Sequence, residues 1–509
     1  MPFNSIFSWL MKKRVHQIDL FRKYPYDVQR DVFRTLISKA QETEWGKQYD
    51  YDSIDSVKDF QQRVPLQEYD HVKPYVDRLI KDEQNLLWPT PIKWFAKSSG
   101  TTTERSKLIP VSREAIEDCH YKGGKDLVGL YYSNHPEAAL YAGKNLTVGG
   151  SSQVNTLSSN SYTGDLSAII IKNLPWWAEI KRVPRKDIAL MDNWEEKIDA
   201  MARTSIKQDV VMISGVPSWS LVLMNHILDI TGKKSIAEVW PNLELFVHGG
   251  VSFKPYRPKF EHVFGDPKIN FVETYNASEG FFGIQDTVDG DDMLLMLDYG
   301  IFYEFIPMDD YKGIDSTNVL TLEEVEPGIN YAVVISTNAG LWRYIIGDTV
   351  TFTSKEPHRI QVTGRTRFFI NTFGEELIVD NAEQALKTAC DRTGAVVTEY
   401  TAGPVYMDDN AKNGGHEWLI EFEKEPENIA FFTEVLDNAL KSVNTDYEAK
   451  RSNDLTLNLP KVQALPSGTF YDWMKKRGKL GGQNKVPRLY NSRKFLDDIH
   501  DFVHARSTD

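Results

Sequence analysis

Ile269-Asn270-Phe271-Val272-Glu273-Thr274-Tyr275-Asn276-Ala277-Ser278-Glu279-Gly280-Phe281-Phe282-Gly283 is the stretch on which the fold reading turns. The run from Ile269 to Thr274 has the length and the aromatic and β-branched content of a strand, and it ends in a small polar turn carrying one carboxylate. Two upstream runs end in the same way. Val210 to Ile213 leads into Ser214-Gly215, and Leu243 to Val247 leads into His248-Gly249-Gly250. Helical spacing from Ser218 to Ile230 lies between them. Strands alternating with helices predict an α/β sheet. Ligands of such sheets sit beyond the carboxyl ends of the strands, so the small residues closing each run mark the expected site.

Upstream, residues 14–46 show helical spacing, with Leu20, Val32, Phe33, Leu36, Ile37 and Ala40 as candidate core positions. Pro65, Pro74, Pro89 and Pro91 then mark a loop-rich entry. Downstream, Tyr299 to Ile306, Val319 to Leu322 and Tyr331 to Ser336 read as short strands of a smaller β subdomain. After Gly364-Arg365 the pattern becomes mixed. Helices are predicted at about 380–392, 428–443 and 467–478, and strands at about 395–407, 417–423 and 455–463. The expected organisation is a large N-terminal α/β domain over 1–368 and a small C-terminal α+β domain over 369–509.

Bulk properties narrow the function classes. A formal net charge of −13 opposes a general nucleic-acid binder, which needs a basic face to displace counterions. Cys119 and Cys390 are the only cysteines and lie far apart, which suggests neither a zinc site nor a disulfide framework and points to a reducing cytoplasm. The apolar run Phe3, Ile6, Phe7, Trp9, Leu10 and Met11 precedes its basic cluster Lys12-Lys13-Arg14, the reverse of a signal peptide. It reads as the start of an amphipathic helix, with membrane-surface contact as the alternative. No apolar stretch approaches the roughly 20 residues of a span, so no stable membrane insertion is expected.

Four segments carry candidate chemistry. Lys97-Ser98-Ser99-Gly100-Thr101-Thr102-Thr103, followed by Ser106-Lys107, packs hydroxyls around a glycine, a composition that lets backbone and side chains approach phosphate oxygens. It is as readily a polar surface turn. In the second segment, Glu279 beside Tyr275 offers a hard carboxylate for magnesium and a ring for a base, or simply a solvated turn acid. The third, Trp342-Arg343-Tyr344-Ile345-Ile346-Gly347-Asp348, closes an apolar run with an acid able to accept two ribose hydroxyls, or forms an ordinary hairpin turn. The fourth, Gln483-Asn484-Lys485-Val486-Pro487-Arg488, places a lysine after a glycine-rich stretch, either to neutralise a phosphate or as a basic surface loop.

In this order the four segments resemble the signature of adenylate-forming enzymes and, more narrowly, the GH3 family of acyl acid amido synthetases. Ser98-Ser99-Gly100-Thr101-Thr102 with Ser106 to Val111 is similar to that family's first motif. Tyr275 to Glu279 with Phe281-Phe282-Gly283 is similar to the second, and Arg343-Tyr344-x-x-Gly347-Asp348 to the third. Leu465-Pro466-x-Gly468-Thr469-Phe470 followed by Gln483-x-Lys485-x-Pro487-Arg488 resembles the C-terminal lysine segment. The resemblance implies ATP and Mg2+, a C-terminal lid that rotates over the site, and acyl-AMP formation followed by attack of an amine, an amino acid being expected. It implies that Ser98, Ser99 and Thr102 hold phosphates, with Thr101 beside them in the nucleotide site, Glu279 the metal, Asp348 the ribose and Lys485 the α-phosphate, and that Tyr275 and the Gly249-Gly250 segment line the adenine pocket. Gly249, Gly250, Thr274, Tyr275, Asn276, Ser278 and Arg365 complete the implied nucleotide site. A monomer or weak dimer is expected.

The chain departs from the plant pattern in two places. Its third motif reads Arg343-Tyr344 in place of the usual Tyr-Arg order, and Asn371-Thr372-Phe373-Gly374-Glu375-Glu376 stands where plant members carry a lysine. An acyl-CoA ligase sharing the first half-reaction, and an inactive nucleotide-binding protein, remain the alternatives. For the acyl pocket, Cys119 to Tyr132 and Trp176, Trp177 and Trp219 are candidate walls, with core packing as the competing explanation.

Overall fold

A computed structural model describes residues 14–99, 106–149, 154–191, 193–250, 253, 257–288, 290–366, 369–375, 377–407, 413–451, 456–477 and 486–508. Among these residues the dominant element is a twelve-stranded sheet. Its first half is parallel: Lys144–Val148, Val210–Gly215, Leu245–Gly249 and Asn270–Ala277 run side by side in that order. The turn at Ser278 and Glu279 then reverses the chain into Gly280–Ile284, which pairs antiparallel with Asn270–Ala277. Every further pairing in that direction is antiparallel, through Met293–Leu295, His358–Arg365, Tyr344–Lys355, Asn330–Thr337, Ile301–Pro307 and Leu320–Thr321. The β subdomain thus continues the α/β sheet, and the parallel pattern ends at the strand that carries Tyr275.

Helices cover the parallel half. Pro217–Thr231 follows Val210–Gly215, with proline in its first turn and Gly232 in the left-handed conformation at its end. Arg257–Phe264 buries Phe260 and Phe264 against Phe246, with the Phe246 and Phe260 rings stacked 4.6 Å apart. Trp94–Ser99 and Ser106–Val111 pair as an antiparallel hairpin of a second, four-stranded sheet. Beyond residue 378, Val396–Val405, Gly415–Lys424 and Lys461–Leu465 form a three-stranded sheet, and the helices Val379–Thr393 and Ile429–Val443 pack on each other. The strand expected at about 455–463 begins only at Lys461.

The N-terminal helical reading needs one correction. The helix breaks at Tyr24, and Pro25–Ala40 starts anew with proline in its first turn. Phe33, Leu36, Ile37 and Ala40 are buried as expected, whereas Leu20 is 54% exposed. The inward face of the first helical segment is set by Ile18 and Phe21, three residues apart, and Leu20 lies on the opposite side of that helix. Among the described residues no helix is long and apolar enough to cross a membrane.

Candidate active site

The carboxyl ends of two neighbouring parallel strands define the floor of a cleft. Gly249 lies opposite Thr274, and a Cβ there would meet the Thr274 carbonyl oxygen at 2.4 Å, so only glycine lets the strands approach. The Thr274 hydroxyl donates to the His248 carbonyl at 3.1 Å and locks the two ends together. One residue later the Tyr275 side chain turns to the β half, and its hydroxyl donates to Asp348 Oδ2 at 2.7 Å. Asp348 sits opposite Arg365 in the Tyr344–Lys355/His358–Arg365 hairpin, with Arg365 Nε 3.1 Å from Asp348 Oδ1. Gly347 precedes it at φ +97°, a backbone conformation that an L side chain rarely adopts.

The turn after Tyr275 reaches toward the serine-rich hairpin. The Ser278 hydroxyl donates to the Lys97 carbonyl at 3.3 Å. Next to it, Glu279 is only 8% exposed. Burial pushes its carboxyl up to about 7; the Lys107 ammonium opposes that shift and the Asp348 carboxylate adds to it. The Tyr275 hydroxyl is pushed well above its ordinary value, first by burial and then by Asp348.

A cavity of about 520 Å³ joins these groups. Ser98, Gly250, Thr274, Tyr275, Asn276, Ser278, Glu279, Asp348 and Arg365 all line it, and Gly249 borders it through its contact with Thr274. The Ser99 backbone ends the first strand of the serine hairpin, while Thr101, Thr102 and Lys485 lie outside the described residues. Lys97 and Lys107 of the serine segment line the cavity too, as do residues beyond the motifs: His248, Phe253, Arg257 and Phe271 along one wall, and Asn371, Asp446 and Asn491 from the C-terminal part. His248 and Phe271 had a legible signal. Each shares a strand face with a buried or motif partner two or four residues away, Phe246 and Tyr275. Nothing in local sequence marks Asn491, and Asn371 stands out only as the start of the stretch where plant members carry a lysine. They come together because the Asn491 carboxamide accepts the Asn371 backbone N–H at 2.7 Å.

The third motif divides. Asp348 faces the cleft, but Arg343 turns into the core, where its guanidinium grips Glu304 at 3.0 Å and donates to the Gln61 and Val64 carbonyls. Of the candidate acyl-pocket tryptophans, Trp176 is 76% exposed, because it opens a short surface helix, and Trp219 lies under the Lys450 ammonium at 4.1 Å; the Trp177 side chain lies outside the described residues. Among the described residues no group of three or more His, Cys, Asp or Glu side chains is placed to hold a metal. Glu279 offers its carboxylate in a cleft that Ser98, Ser278, Lys97 and Lys107 also line, with Glu273, Asp291, Asp348 and Asp446 along its walls. That set fits magnesium, which takes one or two carboxylates together with phosphate oxygens.

Comparison with known proteins gives a consistent result. The models for the GH3 family N-terminal, central and C-terminal domains match residues 14–269, 294–365 and 380–494. The 4-substituted benzoates-glutamate ligase GH3.12 of Arabidopsis thaliana is 24% identical, with 94% of this chain and 95% of that one aligned. The indole-3-acetic acid-amido synthetase GH3.4 of Arabidopsis thaliana is also 24% identical, with 94% and 91% aligned. Among solved structures, the GH3.15 acyl acid amido synthetase superposes with a TM-score of 0.59 at 18% identity, covering 94% of this chain and 93% of that one. A 2-hydroxyisobutyryl-CoA ligase superposes with a TM-score of 0.53 at 12% identity, covering 94% and 92%.

Proposed function

The chain belongs to the GH3 family, and from that premise we propose that the cleft is the site of a two-step ligation. The protein activates a carboxylic acid with ATP as an acyl-adenylate and transfers the acyl group to an amine, an amino acid, releasing AMP and pyrophosphate. The observation that supports this reading is the meeting of Ser98, the Thr274–Glu279 segment and the Asp348–Arg365 pair in one cavity of about 520 Å³. These segments are far apart in the chain and meet through the Tyr275–Asp348 and Ser278–Lys97 hydrogen bonds.

In this reading each side chain answers a charge problem. An attacking carboxylate must approach a polyphosphate, and fixed donors and cations offset the repulsion. Ser98 and the hydroxyls after it hold phosphate oxygens. Asp348, oriented by Tyr275 and Arg365, accepts the ribose hydroxyls. Glu279 holds magnesium, which supplies charge neutralisation at the phosphates when bound. Lys485 stabilises charge developing on the α-phosphate. Residues 369–509 act as the lobe that brings Lys485 in, and Asn371, Asp446 and Asn491 already border the cleft from that lobe.

The test is ATP–pyrophosphate exchange over a panel of carboxylic acids, with hydroxylamine trapping read by mass spectrometry. Exchange should depend on the acid, and amino acids should then release an amide. Lys485→Ala should lower adenylation about a hundredfold, the loss of ~3 kcal/mol expected for one transition-state contact. Exchange within threefold of wild type in the folded variant would remove Lys485 from the reaction. A thioester formed from CoA, with no amide from any amino acid, would overturn the acceptor.

A further inference from the structure

One wall of the cleft is unlike the rest. His248 is 3% exposed, and its ring lies 3.9 Å from that of Phe253 at an interplanar angle of 22°. Phe253 in turn sits 5.2 Å from Phe271, and the Arg257 guanidinium covers Phe271 at 5.3 Å. Alternation along Leu245–Gly249 places His248 on the face that carries Phe246, and the Phe253 ring touches both. His248, Phe253 and Phe271 all line the cavity that Tyr275 and Gly250 border.

Other groups already suit the remaining parts of a nucleotide. Ser98 and Lys107 lie toward phosphate, and Asp348 and Arg365 toward ribose. The family resemblance puts the base beside Tyr275 and the Gly249-Gly250 segment, and the aromatic wall next to them suits a planar heterocycle. We propose that His248 is the residue that reads this base, donating its Nε2 proton to a ring nitrogen of adenine while its ring stays pressed on Phe253. The inference rests on the adenylation reading above and adds a specificity-determining residue that none of the four motifs contains.

The tautomer follows from the surroundings. Among the described residues His248 Nδ1 is buried without a hydrogen-bond partner. A buried N–H without an acceptor is rarer than an acceptor without a donor, which places the single proton on Nε2. Burial, and then the nearby Arg257 cation, push the imidazole down to about 3, so the ring is neutral across the physiological range. A neutral donor of this kind matches adenine, whose ring nitrogens N1, N3 and N7 all accept. Guanine carries a proton on N1.

Nucleotide analogues that each lack one ring acceptor test this directly. The full-length wild type, His248→Phe and His248→Asn are titrated calorimetrically with ATP and with its 1-deaza, 3-deaza and 7-deaza analogues, and ATP–pyrophosphate exchange is followed alongside. Wild type should lose about five- to tenfold in affinity for one analogue only, the worth of one hydrogen bond. His248→Phe should bind ATP more weakly by a similar factor and no longer distinguish that analogue from ATP. His248→Asn, which keeps an N–H donor, should recover part of the loss. The inference is overturned if no deaza analogue weakens binding to wild type, or if His248→Phe weakens ATP and every analogue alike, which is the mark of a packing role. Wild type that binds no adenine nucleotide would instead bring down the adenylation reading, and this inference with it.

Discussion

Glu304 and Glu279 are carboxylates buried in the same sheet, and they differ in what stands opposite them. Glu304, on Ile301–Pro307, is 0% exposed. Its oxygens accept from Arg343 Nε and Nη2 and from the Gln61 carboxamide, at 2.9 to 3.2 Å. Arg343 spends its remaining donors on two backbone carbonyls and adopts φ +45°, a strained value for a non-glycine residue that this network holds in place. Among the described residues Glu279 has no side-chain hydrogen bond to any cation; burial, with the Asp348 carboxylate, outweighs the field of Lys107 and Arg365, and its proton affinity rises. A buried acid whose neutralising partner is part of the chain serves the fold. One buried beside a cavity without such a partner is held for a charge that comes from outside, at a cost in stability. On the proposed reading the two glutamates separate those tasks, and substitutions can measure the separation.

The largest effect should come from the paired site. Arg343→Met leaves the Glu304 carboxylate in the core without its cation, which typically costs about 3–5 kcal/mol. Urea denaturation should show that loss, and Arg343→Met combined with Glu304→Met should recover a substantial part of it, because no unpaired charge remains. A single variant that loses under about 1 kcal/mol would mean that water or another group takes over the partner's role, and the contrast with Glu279 would dissolve.

At the unpaired site the sign reverses. An unfolded glutamate ionises near its ordinary 4.5, whereas Glu279 keeps its proton to about 7. The raised value adds stability that is present at low pH and is lost as pH rises through 7. Glu279→Gln replaces the acid with a neutral amide, so without ligands the variant should be more stable than wild type at pH 8, by about 3 kcal/mol, and the gap should fall to less than half by pH 5.5 and close only below about pH 4.5. The same variant should lose its magnesium-dependent adenylation about a hundredfold. Equal stabilities at both pH values would show that Glu279 is solvated, and an unchanged magnesium titration would remove it from the metal site.

How far these roles were legible in the chain follows from how local each one is. The strand ends were readable because the apolar run and the small residues that stop it are contiguous, as at Ile269 to Gly280. Fold class and the Tyr275, Glu279 and Asp348 positions came from such local patterns, read with the family resemblance. Arg343 and Asp348 are five residues apart in one motif, yet one pairs with a strand 39 residues away and the other with a tyrosine 73 residues away. No local pattern distinguishes them, because the divergence is set by which partner each meets after folding. The entry of Asn371 and Asn491 into the cleft is likewise a product of long-range packing.

The smallest expected effect compares two buried tyrosines, one in each region. The Tyr275 hydroxyl donates to Asp348, and the Tyr303 hydroxyl donates to the Met296 carbonyl at 3.1 Å. Each Tyr→Phe change removes one buried hydrogen bond and should cost about 1 kcal/mol of stability, so denaturation alone should not tell the two apart. ATP should. Without the Tyr275 hydroxyl, Asp348 loses the donor that fixes its Oδ2, and its oxygens lose part of the orientation that ribose recognition requires. Tyr275→Phe should therefore raise KM for ATP by about three- to fivefold with kcat nearly unchanged, as expected when a binding contact rather than a transition-state contact is weakened. Tyr303→Phe, equally buried and equally destabilised, should leave KM for ATP where it is. Equal KM values in the two variants would mean that Asp348 is positioned by the hairpin alone, and that the Tyr275 hydroxyl belongs with Glu304 among the groups that serve the fold.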